Sequence, residues 1–226
     1  MSSNLTLSAS GNYLLINGMF SYLCIFLMTN YISQHYIEII GAGLSLIYLY
    51  LSIKQKIGLW IFGFLCSALY IVVFFNSKFY ADMSLQFYYL GVSVYGWVSW
   101  KSGKLHTGKE LPIKRVNIRQ TIFLSAFTIA IFFIYFFILA QYTDSPLPVA
   151  DSFTTALSIT ATWMLAKKMI EHWILWVVVD AVSAGLYFYK ELYPTAILFI
   201  IYTIMAVAGC VEWKKETEKV RAKISL

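Results

Sequence analysis

The sequence predicts an all-α membrane protein of seven transmembrane helices. Two parallel three-helix repeats are joined by one linker helix, with an N-terminal segment in front. Three observations predict this. The chain is 60% hydrophobic and 12% charged over 226 residues, where a soluble domain carries about a quarter charged residues. Its Lys and Arg residues alternate from side to side between apolar spans with strong asymmetry. Its first three firm spans fall on its last three at a single offset.

Taken in order, residues 1 to about 11 are polar. Asn12 to Met28 is apolar but interrupted by Asn17, Gly18 and Ser21, which fits either an interfacial helix or an extra short span. Neither a basic leader nor a small-residue cleavage site precedes it, so a cleaved signal peptide is not expected. Seven apolar spans follow, near 36–53, 59–76, 82–100, 119–141, 150–166, 172–189 and 193–213. The domains read as an N-terminal segment (1–35), a first repeat (36–101), a basic loop with the linker helix (102–148), a second repeat (149–213) and a charged, helix-prone tail (214–226).

Fifteen of the 17 basic residues fall on one side of these spans; only Lys78 and Lys190 fall on the other. Positive loops stay inside, which makes the basic side and the C-terminus cytoplasmic. The net charge of +6 is therefore a topology signal and not a nucleic-acid signature. Cys24, Cys66 and Cys210 sit in apolar stretches without ligand spacing and read as small hydrophobes. His35, His106 and His172 are far apart, so no metal site is expected. No phosphate-binding loop and no nucleophile–base pair is visible, so neither a cofactor nor enzyme chemistry is expected.

The repeat has an offset of 113. Trp60 lands on Trp173, Tyr89 on Tyr202, Gly96 on Gly209 and Trp100 on Trp213. Lys54 lands on Lys167, Ser45 on Ser158, and Glu38 on Asp151. Apolar bias does not readily align tryptophans, glycines and loop lysines at one offset. Two halves of equal orientation form a transporter architecture with the substrate near the midplane between them. The span 119–141 is the linker, because its body lacks charges and suits lipid contact.

The third span carries Gln86, Tyr89, Ser93, Gly96 and Trp100 on one face. A glutamine amide in hydrocarbon needs a partner, so this face looks inward. It is either a polar helix–helix seam or one wall of a solute pathway. In the sixth span, Trp173, Trp176, Asp180, Ser183 and Tyr187 share a face. Asp180 lies mid-span, where a carboxylate is costly and is either functional or structurally hydrogen-bonded. A carboxylate among aromatic rings suits a flat, cationic, hydroxyl-bearing solute. The expected binding residues are Gln86, Tyr89, Ser93, Trp97 and Trp100 on one wall, and Trp176, Asp180, Ser183, Tyr187 and Tyr202 on the other. The repeat partner of Asp180 is Ser67, so the pocket is expected to be asymmetric. Asp82 and Asp151 read as helix N-terminal charges, and Trp60 and Trp163 as interfacial belt residues.

Residues 36–213 resemble the PnuC family of bacterial vitamin transporters. The resemblance rests on Tyr95-Gly96-Trp97-Val98-Ser99-Trp100, on the preceding Tyr80–Gln86, and on Trp173–Tyr187 with Asp180. It implies a three-plus-one-plus-three fold related to that of SWEET sugar transporters. It also implies facilitated diffusion of an unphosphorylated vitamin across the bacterial inner membrane, with trapping by a separate cytoplasmic kinase. The chain departs from the SWEET pattern in having no proline inside its first or fifth span, which points to glycines as pivots. Among cationic vitamins the resemblance leans to thiamin, with nicotinamide riboside as the alternative. A receptor without a transport cycle is the competing class, and homo-oligomerisation is left open.

Overall fold

The computed structural model describes residues 39–76, 80–107, 111–143 and 145–224. The expectations for residues 12–28 and Glu38 fall outside the described residues. The described helices are α1 (Ile39–Ile53), α2 (Leu59–Asn76), α3 (Tyr80–Thr107), α4 (Ile118–Tyr142), α5 (Pro148–Ala166), α6 (His172–Tyr189) and α7 (Tyr193–Ile224). Three of them, Ile118–Tyr142, His172–Tyr189 and Tyr193–Lys219, are long and apolar enough by themselves to cross a membrane. The remaining helices are shorter or more polar. In α3 and α5 the polar residues lie against each other. The Tyr88 hydroxyl on α3 donates to the Ile159 carbonyl on α5 at 2.8 Å, and Trp100 Nε1 donates to the Ala166 carbonyl at 3.1 Å.

The helix ends follow local chemistry. Asn117 and Gln120 cap α4 reciprocally, through bonds of 2.9 and 3.1 Å between side chain and backbone. Pro148 opens α5 and Asp151 sits in its first turn, where a carboxylate is favoured by the helix dipole. There Asp151 accepts from Ser145 at 2.6 Å and pairs with Lys190 at 3.5 Å. The α1–α2 and α5–α6 connections are copies of one motif. Gln55 and Lys168 hold left-handed φ of 53° and 54°. Lys56 N–H reaches back to the Leu51 carbonyl, as Met169 N–H does to Met164, both at 2.9 Å. This is the Schellman helix end, which usually recruits glycine.

The outer surface carries large apolar side chains such as Phe133, Phe137, Ile197 and Ile204, all more than half exposed. In water that would be an aggregation liability; in lipid it is the required face. Inside, the core is a tryptophan cluster. Trp60 and Trp100 meet edge-to-face at 5.5 Å, and Trp173 and Trp213 do so at 5.8 Å. Trp60 packs on Gly96, and Trp173 packs on Gly209. A Cβ on either glycine would collide with the indole. Trp60, expected at an interfacial belt, is only 1% exposed, because the missing Gly96 side chain opens a slot for it.

The 113-residue offset recurs contact by contact. Trp100 donates to Ala166, and its counterpart Trp213 donates to the carbonyls of Ser52 and Ile53 at 3.2 Å. Ile53 is itself the counterpart of Ala166. Lys168 donates to its own counterpart, Gln55, at 3.3 Å. A contact between two equivalent residues can form only on the axis relating them. Two of the helices outrun their expected spans. The third was expected to end at Trp100 but continues to Thr107, and the last continues to Ile224. Both cross from apolar into lysine-bearing sequence, and lysine favours helix, so the end of the apolar run is not the end of the helix.

Candidate functional site

The site is built from polar side chains on α1, α3, α5, α6 and α7. Tyr89 on α3 interacts through its hydroxyl with Ser158 on α5. Tyr202 on α7 interacts in the same way with Ser45 on α1. These two Tyr–Ser pairs are related by the repeat offset. One pair joins α3 to α5 and the other joins α7 to α1. Tyr202 also feels Asp180, Tyr70 and Cys66, while Tyr89 feels Tyr48 and Tyr88. Tyr48 and Cys66 influence each other as well, so the two groups are neighbours through α1 and α2. Ser45 Oγ lies 3.3 Å from Cys66 Sγ.

Asp180 is 5% exposed and midway along α6. Among the described residues it makes no ion pair, and its charge is felt by the Tyr202 hydroxyl. A buried carboxylate without a cation is costly, and an incoming cation would relieve that cost. Ser183 lies one turn further along α6, 6% exposed. Tyr187 stacks on Phe199 at 5.1 Å, and Phe199 meets Tyr202 edge-to-face at 5.4 Å, which makes a continuous aromatic wall from α6 to α7. The counterpart of Phe199 is Gln86, which is half-buried on α3. The two walls therefore differ: Ser67 and Gln86 in one half, Asp180 and Phe199 in the other.

The remaining expected residues lie closer to the tryptophan cluster. Trp97 and Trp176 are partly buried against it. Ser93 is 5% exposed, close to Gly63 of α2 and so at the α2–α3 contact. Trp100 belongs to the cluster itself, with its ring under the Lys168 ammonium at 4.4 Å. His172 is fully buried there too, 4.8 Å from the Trp213 ring. Sequence reasoning did not place Tyr48, Ser45, Ser158 or Tyr70 in the site. The repeat offset already paired Ser45 with Ser158, and that pairing was the available signal. Among the described residues no three His, Cys, Asp or Glu side chains gather as metal ligands.

Polar and ionisable side chains enclosed by helices with lipid-suited exteriors define the class first: a multi-pass membrane transporter. The fold matches a solved structure described as "Crystal structure of the Vitamin B3 transporter PnuC". Its TM-score is 0.68 at 22% identity, and the match covers 91% of this chain and 90% of that one. Residues 35–215 match the family described as Nicotinamide mononucleotide transporter, and the chain belongs to that family. It is similar to "Nicotinamide riboside transporter PnuC" of Escherichia coli (strain K12), 24% identical over 79% of this chain and 84% of that one. It is also similar to "Riboflavin/roseoflavin transporter RibM" of Streptomyces davaonensis, 25% identical over 80% of this chain and 86% of that one. The chain is thus a transporter of the PnuC family and not an enzyme.

Proposed function

We propose that this chain carries nicotinamide riboside across the bacterial inner membrane by facilitated diffusion. The observation that carries the reading is Asp180, a buried carboxylate with no ion pair among the described residues, on the same helix as Tyr187 of the aromatic wall. Nicotinamide riboside brings a flat pyridinium cation for the carboxylate and the rings, and ribose hydroxyls for Ser, Tyr and Gln side chains. Riboflavin is neutral and leaves Asp180 unpaired. Thiamin is also a cation, and the sequence alone leaned toward it. The relatives described above are named for nicotinamide riboside and riboflavin, which moves the preference to nicotinamide riboside.

In this reading the halves are residues 36–101 and 149–213, parallel about an axis along the membrane normal and joined by 102–148. The basic end and the tail 214–226 face the cytoplasm. The substrate lies between the Tyr89–Ser158 and Tyr202–Ser45 pairs, with Gln86 on one side and Asp180, Ser183 and Tyr187 on the other. Trp97 and Trp176 form the floor. Trp60, Trp100, Trp173 and Trp213 close the pathway at the basic end. A separate kinase phosphorylates the entering riboside and holds it inside. Equilibrium binding to the purified protein tests the substrate. Nicotinamide riboside is expected to bind and to be displaced weakly by thiamin and least by riboflavin. Tighter binding of thiamin or riboflavin would reassign the substrate.

A further inference from the structure

A cavity of about 610 Å³ lies at the basic end of the molecule. Among the described residues, Lys114, Arg119 and Lys167 line it together with Trp163, Phe123 and Leu124, and no acidic side chain does. Glu171, just beyond the lining Met169, is engaged elsewhere, accepting from the Val116 N–H at 3.1 Å. The wall bearing Lys114 is fixed, because the segment around it pairs with the α5–α6 turn. Lys114 N–H donates to the Lys168 carbonyl at 2.9 Å, and Ile170 N–H donates to the Lys114 carbonyl at 3.0 Å.

We propose that this cavity binds the headgroup of an anionic phospholipid. Three cations without a lining anion call for a phosphate. The apolar surroundings say where that phosphate comes from. Arg119 stands in the first turn of α4, a helix of 25 residues that is about 38 Å long and so reaches from one headgroup layer to the other. Next to it Ile118, Ile122 and Phe123 are 73%, 64% and 69% exposed, a stripe that only acyl chains satisfy. Charge at headgroup depth above an apolar stripe is the footprint of a lipid, whereas a soluble phosphate ester would leave the stripe uncovered. The site also reaches the contact between α3 and α5. Lys167 donates to the Tyr95 hydroxyl on α3 and lies over the Tyr95 and Trp163 rings at 4.8 and 5.1 Å. A headgroup on Lys167 therefore links the linker helix to the contact between α3 and α5.

The test uses the full chain purified in neutral detergent, with thermal unfolding followed on adding dioleoyl phosphatidylglycerol, dioleoyl phosphatidylcholine or glycerol 3-phosphate. Phosphatidylglycerol is expected to raise the midpoint by several degrees, and the other two to leave it unmoved. The double variant Lys114→Gln, Arg119→Gln removes two exposed cations, so it should match the parent in phosphatidylcholine and lose most of the phosphatidylglycerol shift. In native mass spectrometry it should retain about tenfold less phosphatidylglycerol. An undiminished shift in the variant overturns the site. An equal shift from phosphatidylcholine overturns the charge recognition. An equal shift from glycerol 3-phosphate overturns the lipid in favour of a soluble phosphate ester.

Discussion

In the proposed function Asp180 carries the recognition chemistry, and one substitution separates that role from stability. Asp180→Asn keeps the shape and removes the charge. A hydrogen bond or close contact to a charged group contributes about 1.5–3 kcal/mol, so the variant is expected to bind nicotinamide riboside roughly tenfold to a hundredfold more weakly. Its melting temperature should hold or rise, because Asp180 has no described ion-pair partner to lose. A lowered melting temperature with unchanged affinity would make the residue structural. The two tyrosines give a paired test. Tyr89→Phe and Tyr202→Phe each strand one serine, Ser158 or Ser45, and each is expected to cost about 1 kcal/mol in stability or binding. Titration calorimetry and unfolding on the same samples assign the loss. Asp180 was legible as a candidate because a charge within an apolar run has few structural excuses, Tyr89 because it shares a face with Gln86, and Tyr202 because it is the counterpart of Tyr89 at the offset. Ser45, Ser158 and Tyr48 were not, because serine and tyrosine are common in apolar helices and helical spacing names a face but not its partner. Trp100 was legible as an inward aromatic. That it bonds to Ala166 inside a closed cluster depends on the other half of the fold.

At the scale of the helices, the tightest constraint is the indole-on-glycine packing, which occurs twice. Gly96→Ala and Gly209→Ala each put a methyl into an indole with no space to receive it. Each is expected to destabilise by about 1–3 kcal/mol, and by similar amounts, since the sites are copies. Denaturation of the two single variants checks this; a cost at one site only would break the equivalence. The cluster is also unsatisfied. Trp60 and Trp173 Nε1 and His172 Nε2 are buried with no hydrogen-bond partner among the described residues. A buried polar group that meets neither protein nor water costs about 1–3 kcal/mol. The spans 59–76 and 172–189 coincide with α2 and α6, since turn residues bound both apolar runs. The overrun of α3 was hidden, because hydropathy reports where lipid ends and says nothing about where hydrogen bonding ends, whereas the continuation of α7 follows from the helix-prone tail.

For the whole molecule, the offset of 113 points to a two-half organisation before any coordinates, and the hydrogen bond between the counterpart residues Lys168 and Gln55 supports that reading. The pairing of α4 with α5, through the 2.7 Å contact of Thr128 with Thr160, was not legible, because a lipid-facing helix leaves no pattern naming its neighbour. Orientation belongs to this scale too. In a background with the native cysteines replaced by serine, Ser102→Cys should react with a membrane-impermeant maleimide only in inverted vesicles, and Thr143→Cys only in intact cells. The reverse pattern would invert the topology. The central claim is passive carriage of nicotinamide riboside, and uptake into liposomes containing only this protein tests it most directly. Labelled nicotinamide riboside should enter until the internal concentration equals the external one, unaffected by a proton or sodium gradient. No entry above that of empty liposomes, or accumulation beyond the external concentration when a gradient is applied, would contradict it.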